Sequence, residues 1–353
     1  MRDAAAILDD EEALRSSDPR GLLDAYLQTG EQFLTSYRAA AEQLPPIRGA
    51  ASVTFCAMGG SAAAGDVVAG AYRTSLPIPA GTVRGYRLPA HCGPDDVVVC
   101  VSYSGNTEET LATYTEAVAR GCQVIAVCSG GELAERAGAD GAAAAVVPSG
   151  LPQPRAALGA LVGGTLGALR GLIPAEEETE AVAASVASVA ERLGPGIDSL
   201  RNPAKGIVTW LSDRIPIVWG SEGVTEAAAF RWKAAFNENA KIPAFAASLP
   251  ELDHHEVAGW SEGWGGGFRL IVLRHEDEHE TVGPRIQATL EAIDGSGLET
   301  REVRAPAGPP IAAALSLMML GDCASAYHAL ARGIDPAPIE AIARVKARLA
   351  ERG

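Results

Sequence analysis

The chain has 353 residues, more than one hydrophobic core usually organises, and roughly 150 residues per domain points to two domains. It is 47% hydrophobic and 21% charged, a balance that excludes disordered and collagen-like chains. The formal net charge of −15 opposes nonspecific attraction to nucleic acid or to an anionic membrane surface.

The N-terminus, Met1-Arg2-Asp3 followed by acidic Asp9 to Glu12, lacks a secretory signal pattern, and no run of about 20 apolar residues is present. The expectation is a cytoplasmic protein. Cys56, Cys92, Cys100, Cys122, Cys128 and Cys323 include no CxxC pair, and several lie in or beside strand-like runs. Buried free thiols are therefore expected rather than disulfides or a zinc site.

Residues 1–50 read as helical, with Leu22, Leu23, Tyr26 and Leu27 at helical spacing before the Pro45-Pro46 break. The next stretch alternates. A strand over Val53 to Ala57 precedes a Gly59-Gly60 turn and a helix of small residues to about Tyr72. Then come strand Val97 to Val101, helix Thr107 to Ala119, strand Gln123 to Val127, helix Glu132 to Gly138 and strand Ala142 to Val147. Such alternation specifies a parallel sheet with helices on both faces. An apolar helix from Pro154 to Leu172 follows, then an acidic exit at Glu176 to Glu178 that suggests a boundary near 175. Beyond a linking helix over Ala181 to Leu193, strands are expected at Ile207 to Leu211, Ile215 to Trp219, Phe268 to Leu273 and Leu298 to Val303. Helices at about Val224 to Asn239, Pro284 to Ile293 and Pro310 to Ala331 separate them, so the β/α grammar occurs twice.

Parallel sheets bind ligands at the carboxyl ends of their strands, where helix N-termini collect. Met58-Gly59-Gly60-Ser61 follows a strand and opens a helix, leaving backbone amides open to an anion. It is not a dinucleotide fingerprint, since Ser61 and Ala64 replace the later glycines, nor a P-loop, since Asp66 stands where lysine is required. By itself it reads equally as a turn. Ser102-Tyr103-Ser104-Gly105-Asn106-Thr107 carries more information, because the hydroxyls of Ser102, Ser104 and Thr107 surround one helix N-terminus. Ser104 or Thr107 can serve as an ordinary N-cap, but capping explains one hydroxyl and not the cluster, which favours a phosphate site.

Arg231-Trp232-Lys233 leads into Asn237-Glu238-Asn239-Ala240-Lys241, with Glu251-Leu252-Asp253-His254-His255 further on. A carboxylate and a histidine invite acid–base chemistry, although spacing alone makes Glu238 a solvated helix residue. The His254-His255 pair lacks the i,i+4 spacing and third ligand of a metal site, so no metal is expected.

These residues together resemble a known family. Met-Gly-Gly-Ser at 58–61, Ser-Tyr-Ser-Gly-Asn-Thr-Glu-Glu-Thr at 102–110, Pro154-Arg155-Ala156-Ala157, Asn237-Glu238-Asn239-Ala240-Lys241, Glu251-Leu252-x-His254 and Arg332-Gly333-Ile334-Asp335-Pro336, ending near Lys346, look like the bifunctional phosphoglucose/phosphomannose isomerases. The resemblance implies an α/β fold of two sugar isomerase (SIS) domains, each a parallel β-sheet flanked by helices. Residues 1–175 would form the first with its helical N-terminal extension, and residues 195–353 the second. It also implies an aldose–ketose isomerisation of glucose 6-phosphate or mannose 6-phosphate to fructose 6-phosphate, without cofactor or metal.

Position by position, the resemblance has Gly60, Ser61, Ser102, Ser104 and Thr107 holding the substrate phosphate. Glu238 would move a proton between C2 and C1 through a cis-enediol, and Arg155 would offset charge developing on the enediolate oxygens. His254 and Lys346 would open the sugar ring, His254 entering from the other subunit of a homodimer. Read without the family, Arg155 serves equally as a structural ion-pair partner and Lys346 as a solvated helix-end cation. His255 departs from the pattern, standing where the family commonly has asparagine. The expected partner is a hexose phosphate, with no nucleic acid and no membrane. Two other readings keep the phosphate cradle: a non-catalytic sugar-phosphate sensor, and an isomerase of an aminosugar phosphate. Retention of Glu238, His254 and Lys346, with no basic helix in residues 1–50, weighs against the sensor.

Overall fold

A computed structural model describes residues 4–351. Four helices open the chain: α1 (Ala4–Leu8), α2 (Glu11–Ser17), α3 (Leu22–Leu27) and α4 (Thr29–Gln43). The first sheet is built from β1 (Val53–Ala57), β2 (Ala80–Val83), β3 (Val97–Val101), β4 (Gln123–Cys128) and β5 (Ala143–Val146). Its helices are α5 (Gly59–Ala71), α6 (Glu108–Ala119) and α7 (Gly131–Asp140), and α8 (Leu158–Ala168), α9 (Thr179–Ala190) and α10 (Pro203–Leu211) lead out of it. The second sheet holds β6 (Ile215–Ser221), β7 (Phe245–Leu249), β8 (Phe268–Arg274) and β9 (Glu299–Arg304). Helices α11 (Val224–Ala235), α12 (Glu256–Trp260), α13 (Val282–Ala292), α14 (Pro310–Leu330) and α15 (Glu340–Ala350) complete the chain.

Every strand pair is parallel, in the orders β2-β1-β3-β4-β5 and β7-β6-β8-β9. This is the α/β architecture of two helix-flanked parallel sheets anticipated above. The chain leaves β1 towards β2 on one side and reaches β3 on the other, so strand order reverses between β1 and β3. Ala57 and Val101, the last residues of those strands, are register partners. The loops after them, 58–61 and 102–107, therefore start side by side at a switch point, where open sheets bind ligands.

One expected element is of another type: Ile207–Leu211, read as a strand, is the last part of helix α10. The Asn202 side chain accepts from the amides of Ala204 and Lys205, Pro203 sits in the first turn, and Ile207, Val208 and Leu211 fall on one buried face. Helix signals upstream thus override the β-branched run Ile207-Val208-Thr209. Two edge strands, β2 and β7, are additions to the expected set. Helix α11 also stops at Ala235 and passes into a π-turn over Phe236–Ala240.

The two lobes share one apolar core, crossed by α8 and α14. Every residue of α8 is buried, as a helix apolar on all sides must be. It lies against α4 through Gly159, Gly163 and Gly167, where an added Cβ would come 2.1 Å from the Thr29 carbonyl oxygen, 2.1 Å from that of Phe33 and 2.5 Å from that of Tyr37. Helix α14 is long and apolar enough to cross a bilayer, but 94% of its most apolar stretch is buried inside the protein. Its Asp322 is 1% exposed and takes both ends of the Arg231 guanidinium, at 2.9 Å from Nε and 2.9 Å from Nη2. The cysteines are unpaired thiols, all buried except the half-buried Cys122.

A bidentate pair of this depth is costly to break from one side. Asp322→Asn should lower the urea-unfolding free energy by about 3–5 kcal/mol, with Arg231→Met/Asp322→Leu less destabilised than Asp322→Asn because no buried charge is stranded.

Candidate active site

The cradle begins at the N-terminus of α5, where Met58 is extended, Gly59 has φ +51° and Ser61 is 8% exposed. The Ser61 hydroxyl accepts from the Tyr103 amide at 3.2 Å, tying the two loops together. In the second loop Ser102 Oγ and Thr107 Oγ1 lie 2.8 Å apart, and the Asn106 amide donates to Ser104 Oγ at 3.2 Å. Thr107 is the N-cap residue of α6 but makes no capping hydrogen bond with its side chain. Its hydroxyl is turned to Ser102 instead, so the capping reading of Thr107 fails on geometry and the hydroxyl cluster remains.

The loop's shape is enforced from outside. Gly105 has φ +70°, and a Cβ there would sit 1.9 Å from the Gly130 carbonyl oxygen. Leu133 N–H donates to the Gly105 carbonyl at 2.9 Å, and the Asn106 side chain accepts from the Glu132 amide at 3.0 Å. The turn after β4 thus braces the turn after β3.

Arg155 sits on a 3₁₀ turn, Pro154–Ala157, and packs its Cα and Cβ beside Gly60. Its side chain is 3% exposed, yet it does not form a conventional buried ion pair. Nε donates to Asn239 Oδ1 at 2.7 Å, and Nη2 donates to the carbonyls of Pro336 and Ala337 at 2.8 and 2.9 Å. Nη1 is shared between Gln153 Oε1 at 3.3 Å and Glu238 Oε2 at 3.6 Å. The neutral acceptors fix the guanidinium plane and leave one edge for the carboxylate.

Glu238 lies in the π-turn, its side chain 22% exposed. A π-turn inserts a residue into the helical ladder, and here it puts Glu238 at the cleft while Asn239 faces the core at 0% exposure. Asn239 Nδ2 donates to Tyr26 Oη at 3.1 Å and to Ser325 Oγ at 2.9 Å, so α3 and α14 both hold it. Lys241 follows with φ +57° and donates to the backbone carbonyls of Glu238, Asn239 and Pro336. Desolvation, with the nearby Arg155 charge, brings its ammonium down to about 8.

Gly60, Ser61, Ser102, Ser104, Thr107, Arg155 and Glu238 are thus gathered on neighbouring loops. His254 and Lys346 are not. His254 ends a 3₁₀ turn, Glu251–His254, and is exposed; Lys346 is exposed on α15, whose residues 340–349 all face outwards. Among the described residues, neither makes a hydrogen bond or ion pair to the cluster. His255 is exposed as well, 3.7 Å from Glu251. The supporting residues that sequence reading missed are Asn239, Lys241, Gln153, Tyr26 and Asp322. Asp322 did carry a signal, as a carboxylate inside an apolar helix must find a partner.

Beside the hydroxyl-lined cradle, between α5 and α11, opens a cleft of about 890 Å³ lined by Gly59, Gly60, Asp66, Arg84, Phe230 and Arg231 among others. Glu238 is not in its wall, so this cleft adjoins the cradle and does not cover the carboxylate. Chemically, the cluster combines an anion cradle, a carboxylate and a guanidinium, the set needed to hold a phosphorylated molecule and shift a proton on it.

The model of the bacterial phospho-glucose isomerase C-terminal SIS domain matches residues 200–349, and that of the SIS domain matches residues 47–140. A bifunctional phosphoglucose/phosphomannose isomerase of Caldicellulosiruptor bescii is 35% identical over 85% of this chain and 89% of its own. One from Aquifex aeolicus is 34% identical over 88% and 92%. Among solved structures, a hypothetical protein from Thermus thermophilus superposes with a TM-score of 0.73 at 17% identity, covering 97% of this chain and 94% of its own, a likeness of fold.

Gly105→Ala tests the cradle. The strained, colliding Cβ should cost upwards of about 2 kcal/mol in thermal unfolding, and inorganic phosphate should raise the wild-type melting temperature while leaving the variant's unmoved.

Proposed function

The chain belongs to the bifunctional phosphoglucose/phosphomannose isomerase family, and from that premise we propose that it interconverts glucose 6-phosphate and mannose 6-phosphate with fructose 6-phosphate. The observation that carries this reading is the Glu238 carboxylate 3.6 Å from the Arg155 guanidinium, next to a hydroxyl-lined cradle at two helix N-termini.

In this reading the phosphate is held by Gly60, Ser61, Ser102, Ser104 and Thr107, where amides and hydroxyls meet the positive ends of α5 and α6. The sugar then extends towards Glu238. In the open-chain aldose the carbonyl acidifies the C2 proton, so a carboxylate suffices as base. Glu238 takes that proton and returns it to C1, passing through a planar cis-enediol that has lost the C2 configuration. Loss of that configuration lets one site serve both epimers. Arg155, already fixed by three neutral acceptors, need not reorganise as negative charge grows on the enediolate oxygens, which is how such a group lowers a barrier. The chemistry calls on no cofactor and no metal.

Ring opening falls to His254 and Lys346, and their outward positions on one chain support a homodimer in which His254 is supplied by the partner subunit. The remaining partner is the hexose phosphate, with no role for nucleic acid or membrane, and the −15 net charge fits a cytoplasmic enzyme.

Proton NMR in deuterated water with each hexose 6-phosphate should show fructose 6-phosphate forming and deuterium entering C2. Glu238→Gln should retain sugar-phosphate binding while turnover falls about 10²–10⁴-fold. Binding with neither turnover nor exchange in the wild type would instead favour a sensor or an isomerase of a different phosphosugar, such as an aminosugar phosphate. A further outcome concerns pH. Deprotonation of Lys241, at about 8, removes the charge and one of the three donors that hold the carbonyls of Glu238, Asn239 and Pro336, so kcat should fall above that pH. In Lys241→Arg, whose cation keeps its proton, the alkaline fall should move upwards or vanish in the pH–rate profile.

A further inference from the structure

A second cavity, of about 670 Å³, lies on the far side of α14 between α9, α10 and β9. Its floor is apolar, with Leu193, Ile207, Leu317 and Leu320, while Arg192, Arg201, Arg301 and Arg304 line it from several elements. Glu302 is the one acidic residue among those lining it, and its carboxylate is already taken by Arg274 at 2.9 Å and Arg304 at 2.8 Å. Among the described residues, the side chains of Arg192 and Arg201 have no carboxylate partner and no hydrogen bond, while the Arg201 backbone amide donates to Asp198 Oδ1 at 3.1 Å. At the rim Asp9 accepts from the Ser199 amide and Asp198 from those of Leu200 and Arg201, so with Glu302 three carboxylates meet the four guanidinium groups, and the positive charge left open to a ligand is that of Arg192 and Arg201.

The cavity also has a fixed polar element. Arg301 donates to the Gly206 carbonyl at 2.9 Å and stacks over Trp210, 4.7 Å from the ring centre, so its position is set before any ligand arrives. Ser316 lines the floor at 1% exposure, and its hydroxyl has no hydrogen-bond partner among the described residues. Cavities of about 300–1,000 Å³ with apolar walls and a few convergent polar groups are what small organic ligands occupy. Arginines left unpaired beside such a floor select the anion, since their planar donors match phosphate oxygens.

We propose that this cavity binds a small organic phosphate with a flat, apolar body, its phosphate held by Arg192 and Arg201 and its body lying on Leu193, Leu317 and Leu320. This site is separate from the isomerase cleft. Asp322 and Ser325 turn the other side of α14 towards Arg231 and Asn239, so the helix stands between the two.

Adenosine 5′-monophosphate is the probe, measured by isothermal titration with the full chain. The expected result is one site per chain, unaffected by saturating fructose 6-phosphate, with adenosine and inorganic phosphate each at least about tenfold weaker, as expected if both halves contribute. Arg192→Ala/Arg201→Ala changes two exposed side chains outside the isomerase machinery. It should fold, as circular dichroism will show, keep wild-type isomerase turnover, and bind the nucleotide at least about tenfold more weakly. Three results would overturn the proposal: no saturable binding, displacement by fructose 6-phosphate, or equal affinity in the double variant. The second would place the nucleotide in the isomerase cradle, and none of them would overturn the isomerase reading, which turnover of the hexose 6-phosphates tests separately.

Discussion

Two buried guanidinium groups set the terms for the whole molecule. An arginine removed from water must find acceptors for its donors or the structure does not close, and Arg155 and Arg231 find theirs on separate segments. Arg231 on α11 takes Asp322 on α14 and the carbonyl of Arg155 itself, 2.6 Å away. Arg155 takes Asn239 from the π-turn and two carbonyls from the segment before α15. The lobes and the C-terminal segment are therefore joined at the point where the chemistry is proposed, and Tyr26 ties the N-terminal helices to it through Asn239. The desolvation that makes these groups expensive also makes them stiff, and a stiff guanidinium beside a carboxylate is useful only because it has few other places to go.

Much of the fold was legible in the sequence because buried parallel strands are short apolar runs. Val97 to Val101 and Gln123 to Cys128 announce themselves, as does the hydroxyl cluster that follows the first of them. The edge strands did not. Ala80–Val83 contains a glycine and is half exposed, and Phe245–Leu249 is mostly partly exposed, so neither has an apolar run to detect. Ile207–Leu211 misled for the opposite reason: its apolar content suits either state, and the deciding signal was the Asn202-Pro203 cap several residues upstream.

The site was legible in part, and the division is physical. The cradle is built from two short loops of four and six residues, and local chemistry can be read from neighbours in the chain. The surroundings of Glu238 are non-local. Arg155 meets Asn239 across 84 positions and Pro336 across 181, and no spacing rule connects them. The π-turn was also invisible, since an ordinary helical continuation through Asn239 satisfies the same pattern. Without that inserted residue Glu238 and Asn239 would share neither their present faces nor their division of labour, one towards the cleft and the other into the core.

The glycine seam between α4 and α8 bears on how the protein is made. The first forty-odd residues emerge from the ribosome as amphipathic helices whose groove does not yet exist, because Gly159, Gly163 and Gly167 are still to be translated. Tyr26 waits longer, for Asn239 lies 213 positions further on. At about 5–20 residues per second, that is a delay of roughly 10–40 seconds during which the Tyr26 hydroxyl lacks its native partner. The nascent chain must therefore keep its leading segment soluble, or under chaperone cover, until the middle of the sequence arrives to receive it.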